Sequence, residues 1–182
     1  FASAQVLDIT NDDHPAAGNA TMVYLQDDAW SQVLSDHLKI WTINIDWENP
    51  NNSYISTPYQ LPTSSFTSVF DGGSFANLTQ SSGPDIDAMQ AIIMNQAQFR
   101  KFPTHNSAVF NFVVDVLSGS AEQAAVRWYE LRQDADGEPW VIYQEGTYTA
   151  PAGRHAFGAS MAMDLQGNIG MGYSSMNSTN PI

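Results

Sequence analysis

Residues 126–176 decide the fold, because four short segments rich in aromatic or β-branched residues alternate there with turn-forming breaks. The four segments are VRWYELR (126–132), WVIYQEGTY (140–148), GASMAMD (158–164) and IGMGYSSM (169–176). Asp136-Gly137 and Gly167-Asn168 supply residues that tolerate positive φ, which is typical of tight hairpin turns at the first and third breaks. The stretch therefore predicts a four-stranded antiparallel meander.

In the last two of these segments, small residues alternate with bulky ones. The small residues are Ala159, Ser160, Ala162, Gly170 and Gly172, and the bulky ones are Met161, Met163, Met171 and Tyr173. A face of small residues lets another sheet or backbone approach closely. We therefore expect sheets stacked on sheets.

The rest of the chain also favours strands. Residues 37–47 (HLKIWTINIDW) alternate, and the face that carries Trp41, Ile43 and Ile45 is nearly all apolar, so we expect that face to be the buried one. Residues 107–116 (SAVFNFVVDV) have the Val and Phe content of a pleated sheet. With about nine or ten strands expected in 182 residues, the sequence predicts one all-β segment over residues 1–182.

Two stretches are ambiguous between helix and strand. Residues 85–102 and 120–132 both consist of good helix formers. The alternation in the first stretch fits neither period cleanly, and a strand is favoured there. The second stretch overlaps the first strand of the predicted meander, so both interpretations stay open on propensity.

Charged residues are scarce, and most of them are acidic. Asp and Glu number 19 against 6 Lys and Arg, which gives a formal net charge of -13. Such a charge repels phosphate backbones and anionic lipids, so we expect no nucleic-acid partner. Membrane insertion is not expected either, because no apolar run approaches the roughly 18 residues of a transmembrane helix. Cysteine is absent, which excludes disulfides and thiolate metal sites within this sequence.

Five segments carry a resemblance to a known family. They are DHLKIWTINIDWENPNNS (36–53), AQFRKFPTHNSAVFNFVVDV (97–116), AAVRWYELR (124–132), WVIYQEGTY (140–148) and MAMDLQGNIGMGYSS (161–175). In this order they resemble segments of large exported proteins of Bacteroidetes and marine gammaproteobacteria, described as secreted, β-propeller or sialidase-like. The resemblance covers most of the chain. It implies a β-propeller fold and a secreted, extracellular or cell-surface location, often with adhesive modules.

The propeller expectation has a geometric consequence. A blade is a four-stranded sheet of about 40–50 residues, and a closed ring needs at least four blades. A chain of 182 residues supplies about three to four blades. An open arc would leave apolar blade faces in water. We therefore expect the missing blades in the remainder of the same polypeptide, which is the first predicted partner.

Tyr143 and Glu145 are the candidate catalytic residues. They lie two positions apart in a predicted strand, and so we expect them to share one face. Sialidase-like sites combine a Tyr nucleophile with an assisting Glu, and arginines such as Arg127, Arg132 and Arg154 could hold a substrate carboxylate. The competing interpretation is that Tyr143 and Glu145 form a cross-strand pair on a solvated face, and that the arginines pair with nearby acidic residues.

Trp41 and Trp47 are the candidate ligand-binding aromatics, together with Arg127 and Arg154. Indole rings could stack on sugar rings. The same chemistry is open to Trp128, Trp140, Tyr148 and Tyr173. The competing interpretation places most of these rings in the core.

Two acidic loops are candidate metal sites. Asp12 and Asp13 lie between Asn11 and His14 in one loop, and Asp134 and Asp136 alternate with Glu138 in another. Oxygen ligands of this kind suit a structural calcium ion. The second loop lacks the full EF-hand pattern of ligands and glycine, so hairpin-turn chemistry is the simpler explanation there.

Two function classes follow from the sequence. The first is an exported surface module that binds glycans or surface proteins without catalysis. The second is a sialidase-like glycoside hydrolase, which rests on fold analogy alone.

Overall fold

The computed structural model describes residues 4–9, 12–71, 73–75, 78–117 and 121–179, and within these ranges the protein is all-β, as predicted. Eleven strands lie there, with short 3-10 turns at Pro50–Asn52 and Pro151–Gly153. The strands are β1 (Gln5–Ile9), β2 (Ala20–Gln26), β3 (His37–Asn44), β4 (Tyr54–Ile55), β5 (Tyr59–Pro62), β6 (Ala97–Lys101), β7 (Asn106–Asp115), β8 (Ala124–Gln133), β9 (Val141–Tyr148), β10 (His155–Met163) and β11 (Ile169–Met176). None of the helical segments in these ranges is long and apolar enough to cross a bilayer.

Nine of the strands form one curled, half-barrel sheet. Its order is β4-β3-β2-β1-β6-β7-β8-β9, and β5 pairs with β3. The β1–β6 pair is parallel, with Leu7 opposite Ala97, and the other pairs are antiparallel. The sheet is therefore mixed, and the expected series of purely antiparallel meanders is found only in part.

Within this sheet, β6–β9 form a four-stranded antiparallel meander. The meander predicted for residues 126–176 is correct in its two hairpins, because β8 pairs with β9 and β10 pairs with β11. It is wrong at the middle break, since β10 and β11 form a separate two-stranded sheet. The chain turns through Pro151–Gly153, where Ala152 has a left-handed φ of 57°, and places this hairpin over β6–β8 instead of beside β9.

The β6–β9 meander therefore has two covered sides. We call the side that faces β1–β5 the core side and the side that faces β10–β11 the hairpin side. Nine of the ten residues of β7 are buried, which requires cover on both faces. On the core side, Phe110, Phe112 and Tyr129 stack against one another and pack on Leu38 and Ile40 of β3.

Trp140 closes the core side at the end of the sheet. Its indole is 3% exposed, lies edge-on to Phe99 with 6.2 Å between ring centroids, and donates Nε1–H to the Thr21 hydroxyl at 3.3 Å. Tyr59 of β5 accepts the Trp140 backbone N–H at 2.7 Å and donates to the Trp140 carbonyl at 3.2 Å. These bonds hold the β5 end of the sheet against the β9 end, which fixes the curl.

The hairpin side is attached differently. Gln98 of β6 bonds the Met163 backbone of β10 twice, since its Oε1 accepts the N–H at 2.6 Å and its Nε2 donates to the carbonyl at 3.2 Å. Arg100 donates Nε–H to the same carbonyl at 3.1 Å. Met161 and Met163 face inward and are buried with Val109. Of the small residues predicted to admit another sheet, Ser160, Ala162, Gly170 and Gly172 face outward and are exposed, whereas Ala159 is buried.

The expected burial of β3 is wrong. Leu38 and Ile40 lie in the core at 0% and 1% exposure, while Trp41 and Ile43 lie on the opposite face and are only half-buried. Both faces of this strand are apolar, so alternation alone does not say which face points inward.

The two ambiguous stretches contain no helix within the described residues. Ala97–Lys101 and Ala124–Gln133 are strands, and residues 85–96 form an irregular segment with isolated bridges at Ile86 and Ile93. Pairing with β7 overrides the helical propensity in both cases, because the backbone N–H and C=O groups of each strand form hydrogen bonds with that neighbour.

Candidate functional site

Glu145 of β9 forms the centre of a polar cluster on the core side. Arg127 of β8 forms an ion pair with it through Nη2, and the Ser64 hydroxyl donates to its Oε1 at 2.6 Å. Arg127 also donates to the Tyr129 hydroxyl at 3.1 Å and to the Thr147 hydroxyl at 3.1 Å. Three hydrogen-bonded neighbours, Ser64, Tyr129 and Thr147, therefore hold the guanidinium and the carboxylate in place.

The electrostatics of this cluster keep Glu145 ionised. Burial would raise the pKa of Glu145, but the hydrogen bonds from Ser64 and the charge of Arg127 outweigh burial, so the pKa lies below its ordinary value. Burial raises the pKa of Tyr129 to about 12. Neither group therefore has a pKa near neutral pH, which an efficient general acid or base would need.

Tyr143 does not lie with Glu145. The pairing register of β8 and β9 shifts between Glu130 and Leu131, and this bulge breaks the two-residue alternation. Tyr143 lies instead under the guanidinium of Arg132, which sits 3.3 Å from the ring centroid. The expected common face is therefore wrong, and the two candidate catalytic residues reach different partners.

The arginines do not converge. Arg127 pairs with Glu145, and Arg132 donates Nε–H to Glu130 at 2.7 Å. Arg154 donates to the Ser175 hydroxyl at 3.0 Å and to the Ser175 carbonyl at 2.5 Å. Arg127 and Arg132 therefore pair with acidic residues, as the competing interpretation of the sequence expected.

The two acidic loops predicted to bind calcium do meet in space. Asp136 accepts the Ala16 backbone N–H at 2.9 Å, so the loop after β8 is joined to the loop that contains Asp12 and Asp13. The Lys101 ammonium, however, bonds Asp136 at 2.7 Å, and Asn106 donates to the same carboxylate at 2.8 Å. These partners occupy the oxygens that a cation would need. Asp12, Asp13 and Asp134 join no three-residue ligand group in the described ranges, and Asn11 lies outside them.

Asp27, Asp28 and Asp36 form a carboxylate group that the sequence did not suggest. One oxygen from each lies within 4.8 Å of the others. Asp27 accepts the Ser68 N–H at 2.5 Å, and Asp36 accepts the backbone N–H groups of Asp28 and Phe66, each at 2.8 Å. The buried oxygens therefore satisfy loop backbone, and the cluster is by itself no evidence of a bound ion.

A polar cavity of about 450 Å³ contains titratable groups. Asp71, Glu122 and His155 line it. Burial raises the pKa of Glu122, and burial lowers the pKa of His155 against the opposing charge of Asp115. His155 Nδ1 accepts the Ala124 backbone N–H at 3.2 Å, so its ring is held as a neutral acceptor.

Of the candidate aromatics, Trp41 lies on the outer face of the sheet, away from the core, whereas Trp140 is buried in the core. This outer face consists of Met22, Tyr24, Trp41 and Ile43, all half-buried, with the more exposed Val6 and Ile55 at its margins. Tyr24 contacts Trp41 at 6.5 Å and Trp30 at 6.0 Å between ring centroids. The other candidate, Trp47, follows β3 and is 86% exposed.

The loop that carries Trp47 is held in one shape. Asp46 accepts the backbone N–H groups of Glu48 at 3.0 Å and Asn49 at 2.8 Å, and the Asn52 amide at 3.0 Å. Its own N–H is donated to the Ser53 hydroxyl at 2.9 Å. These hydrogen bonds lower the pKa of Asp46. An exposed indole on a loop so fixed is a preorganised stacking surface.

Comparisons with models of protein families, with curated proteins and with solved structures found no match for this chain.

Proposed function

We propose that this chain is a non-catalytic glycan-binding module of an exported, cell-surface protein. The observation that carries the proposal is Trp47, because its ring is 86% exposed on a loop that the hydrogen bonds of Asp46 hold in place, so the ring is available for stacking on a ligand. The half-exposed outer face with Trp41 extends the aromatic area beside the same strand. Aromatic faces on rigid loops are suited to the apolar faces of sugar rings.

A propeller setting is the second part of the proposal. The support is that the β6–β9 meander has the four antiparallel strands of a propeller blade and is covered on one face by the separate β10–β11 hairpin. In this setting β10–β11 would belong to an adjoining blade, and the remainder of the polypeptide would complete the ring. The small-residue face of the hairpin supports this, because it would suit contact with a further β layer.

The test is oligosaccharide binding by the protein and by Trp47→Ala. We expect binding without hydrolysis on a glycan array, followed by titration calorimetry with the oligosaccharide that binds. Trp47→Ala should weaken that binding roughly three- to tenfold, since a stacked aromatic contact contributes about 0.5–1.5 kcal/mol.

Leu34→Ala is the matched control, because Leu34 is 96% exposed and has no aromatic ring. It should bind as the unchanged protein does. Equal binding by Trp47→Ala, or no oligosaccharide bound at millimolar concentration, would contradict the proposal.

The alternative function is glycoside hydrolysis in the cavity lined by Glu122. The observation that favours it is the raised pKa of Glu122 beside Asp71 and His155, which fits a carboxylic acid that donates a proton. Release of reducing sugar that is abolished by Glu122→Gln would favour this alternative. If Glu145→Gln abolished this release instead, the catalytic residue would be Glu145, as the sequence indicated.

A further inference from the structure

We infer that the free edge of β9 and the cavity beside it form a docking site for an extended, basic peptide segment of another protein. The site lies on the hairpin side of the molecule and is separate from the outer face and Trp47. It therefore does not depend on the proposed glycan binding.

The first observation is the open edge. β9 is the last strand of the nine-stranded sheet and pairs only with β8 in the described part of the chain. Its sequence, VIYQEGTY, contains neither the Pro nor the Lys that commonly protects an edge strand. The bulge at Tyr143 disturbs the first part of the strand, so Gln144–Tyr148 is the regular part that another strand could extend.

The second observation is a cavity of about 230 Å³ directly beside that part of β9. It is lined by Trp128 of β8, Gln144 of β9, Met161 of β10, and Ile169 and Met171 of β11. This size is below the roughly 300–1,000 Å³ of sites for whole small-molecule ligands, and it suits one bulky side chain. The flexible thioethers can adapt to the shape of that side chain.

Gly146 brings the cavity to the strand edge. Trp128 lies directly over this glycine, because a Cβ at position 146 would stand 3.0 Å from three atoms of the indole. At the polar end, the Gln144 amide donates to the buried Glu130 carboxylate at 2.7 Å, and this bond fixes its orientation. The Ser107 hydroxyl and Arg132 bind the other oxygen of Glu130, so the floor of the site is built on fixed groups.

The negative net charge of the protein favours a basic segment in this site. With a net charge of -13, a second copy of the chain is repelled, whereas a basic segment is attracted. An extended segment satisfies the backbone groups of β9, and its alternate side chains point to one side of the edge. One of them, an apolar ring, would enter the cavity between Trp128 and Met171.

The probe is a synthetic peptide of seven residues with blocked ends, Lys-Val-Lys-Phe-Lys-Val-Lys. We expect saturable binding by calorimetry and slower amide exchange in β9, measured by NMR on the intact chain. A peptide with Ser for Phe should bind roughly tenfold more weakly, because the buried ring is lost. A peptide with Pro for both Val residues should lose the exchange protection, because it cannot pair with the strand.

The matched protein variants are Ile169→Trp, which fills the cavity, and Leu165→Trp, which adds the same ring at the 70% exposed turn of the same hairpin. Ile169→Trp should weaken binding of the Phe peptide at least tenfold, while Leu165→Trp should not change it. If Ile169→Trp does not fold, the comparison of the Phe and Ser peptides on the unchanged protein still tests whether the ring enters the cavity. Any of four results would overturn the inference. They are the absence of saturable binding, binding without protection of β9, equal binding of the Phe and Ser peptides, and a dimer that protects β9 without peptide.

Discussion

The core side and the hairpin side of the β6–β9 meander are both buried, yet they are held by different forces. On the core side, aromatic and aliphatic residues pack around Phe112 and Tyr129, and the polar cluster of Arg127 lies beside Tyr129. On the hairpin side, buried polar residues interrupt the apolar contacts. These polar residues are Gln98, Arg100, Ser107, Asn111 and Glu130. The difference teaches that burial alone does not measure stability, because polar groups gain little on burial even when they are bonded.

The largest expected effect is on the core side of β7. Phe112→Ala should lower the free energy of unfolding by about 3–5 kcal/mol, since it removes a fully buried ring that contacts Phe66 and Tyr129. Val113→Ala, one position along and 2% exposed on the other side, should cost about 1–2 kcal/mol. Urea unfolding measures both. Equal costs would remove the distinction between the two sides.

The next effect concerns the attachment of the hairpin. Gln98→Ala removes both bonds between this side chain and the Met163 backbone, which should cost about 1–2 kcal/mol. Amide exchange in β10 and β11 should accelerate more than exchange in β2 and β3. Gln166→Ala, in the exposed turn of the same hairpin, is the control and should change neither. A uniform acceleration would show that the hairpin unfolds only with the whole molecule.

A smaller effect of opposite sign is expected at Asn111. This residue is 1% exposed, and neither its Oδ1 nor its Nδ2 has a hydrogen-bond partner. Asn111→Leu keeps the number and branching of the side-chain heavy atoms and should raise the free energy of unfolding by about 1 kcal/mol, because an unbonded buried amide is lost. Thermal unfolding measures the gain, and Asn111→Asp should destabilise instead. Destabilisation by Leu would mean that the amide has a role that packing does not reveal.

The smallest expected effect is a difference in pH dependence between the two sides. The pKa of His155 is lowered by burial from 6.5, so its contribution to stability is complete above that pH and is lost as the pH falls. The pKa of Glu145 is lowered from 4.5 by Ser64 and Arg127 against the effect of burial, so its contribution is lost only below that pH.

Exchange measured from pH 7 to about pH 2.5 should therefore show the start of β10 loosening before the middle of β9, where Glu145 lies. His155→Asn should remove the earlier change, and Glu145→Gln should remove the later one. A simultaneous loss in both regions would contradict this order.

The sequence predicted the strands better than their arrangement. Alternation located β3, β10 and β11, and the content of aromatic and β-branched residues located β8 and β9. It chose the wrong face of β3, since Leu38 and Ile40 are no more apolar than Trp41 and Ile43. The Asp136-Gly137 turn was correctly read as a hairpin turn, but the left-handed Ala152 that moves the chain to another layer has no such signature.

The candidate site was less predictable for physical reasons. Ser64 and Glu145 are separated by 81 positions, so no local pattern indicates their contact. The bulge that parts Tyr143 from Glu145 depends on the register with β8, which one strand does not encode. Trp47 was predicted as a ligand-binding aromatic, but alternation over residues 37–47 also places it on the expected buried face, whereas β3 ends at Asn44 and Trp47 is 86% exposed in the loop that follows.

The bonds between Tyr59 and Trp140 join residues 81 positions apart, and this has a consequence for the speed of folding. Contacts at such separation require a large loop to close before they contribute, and chains rich in them fold slowly. During synthesis, β1–β5 would remain without their closing partner until Trp140 has left the ribosome. We therefore expect the early part of the nascent chain to stay open for tens of residues of further synthesis, a period in which it remains accessible to chaperones.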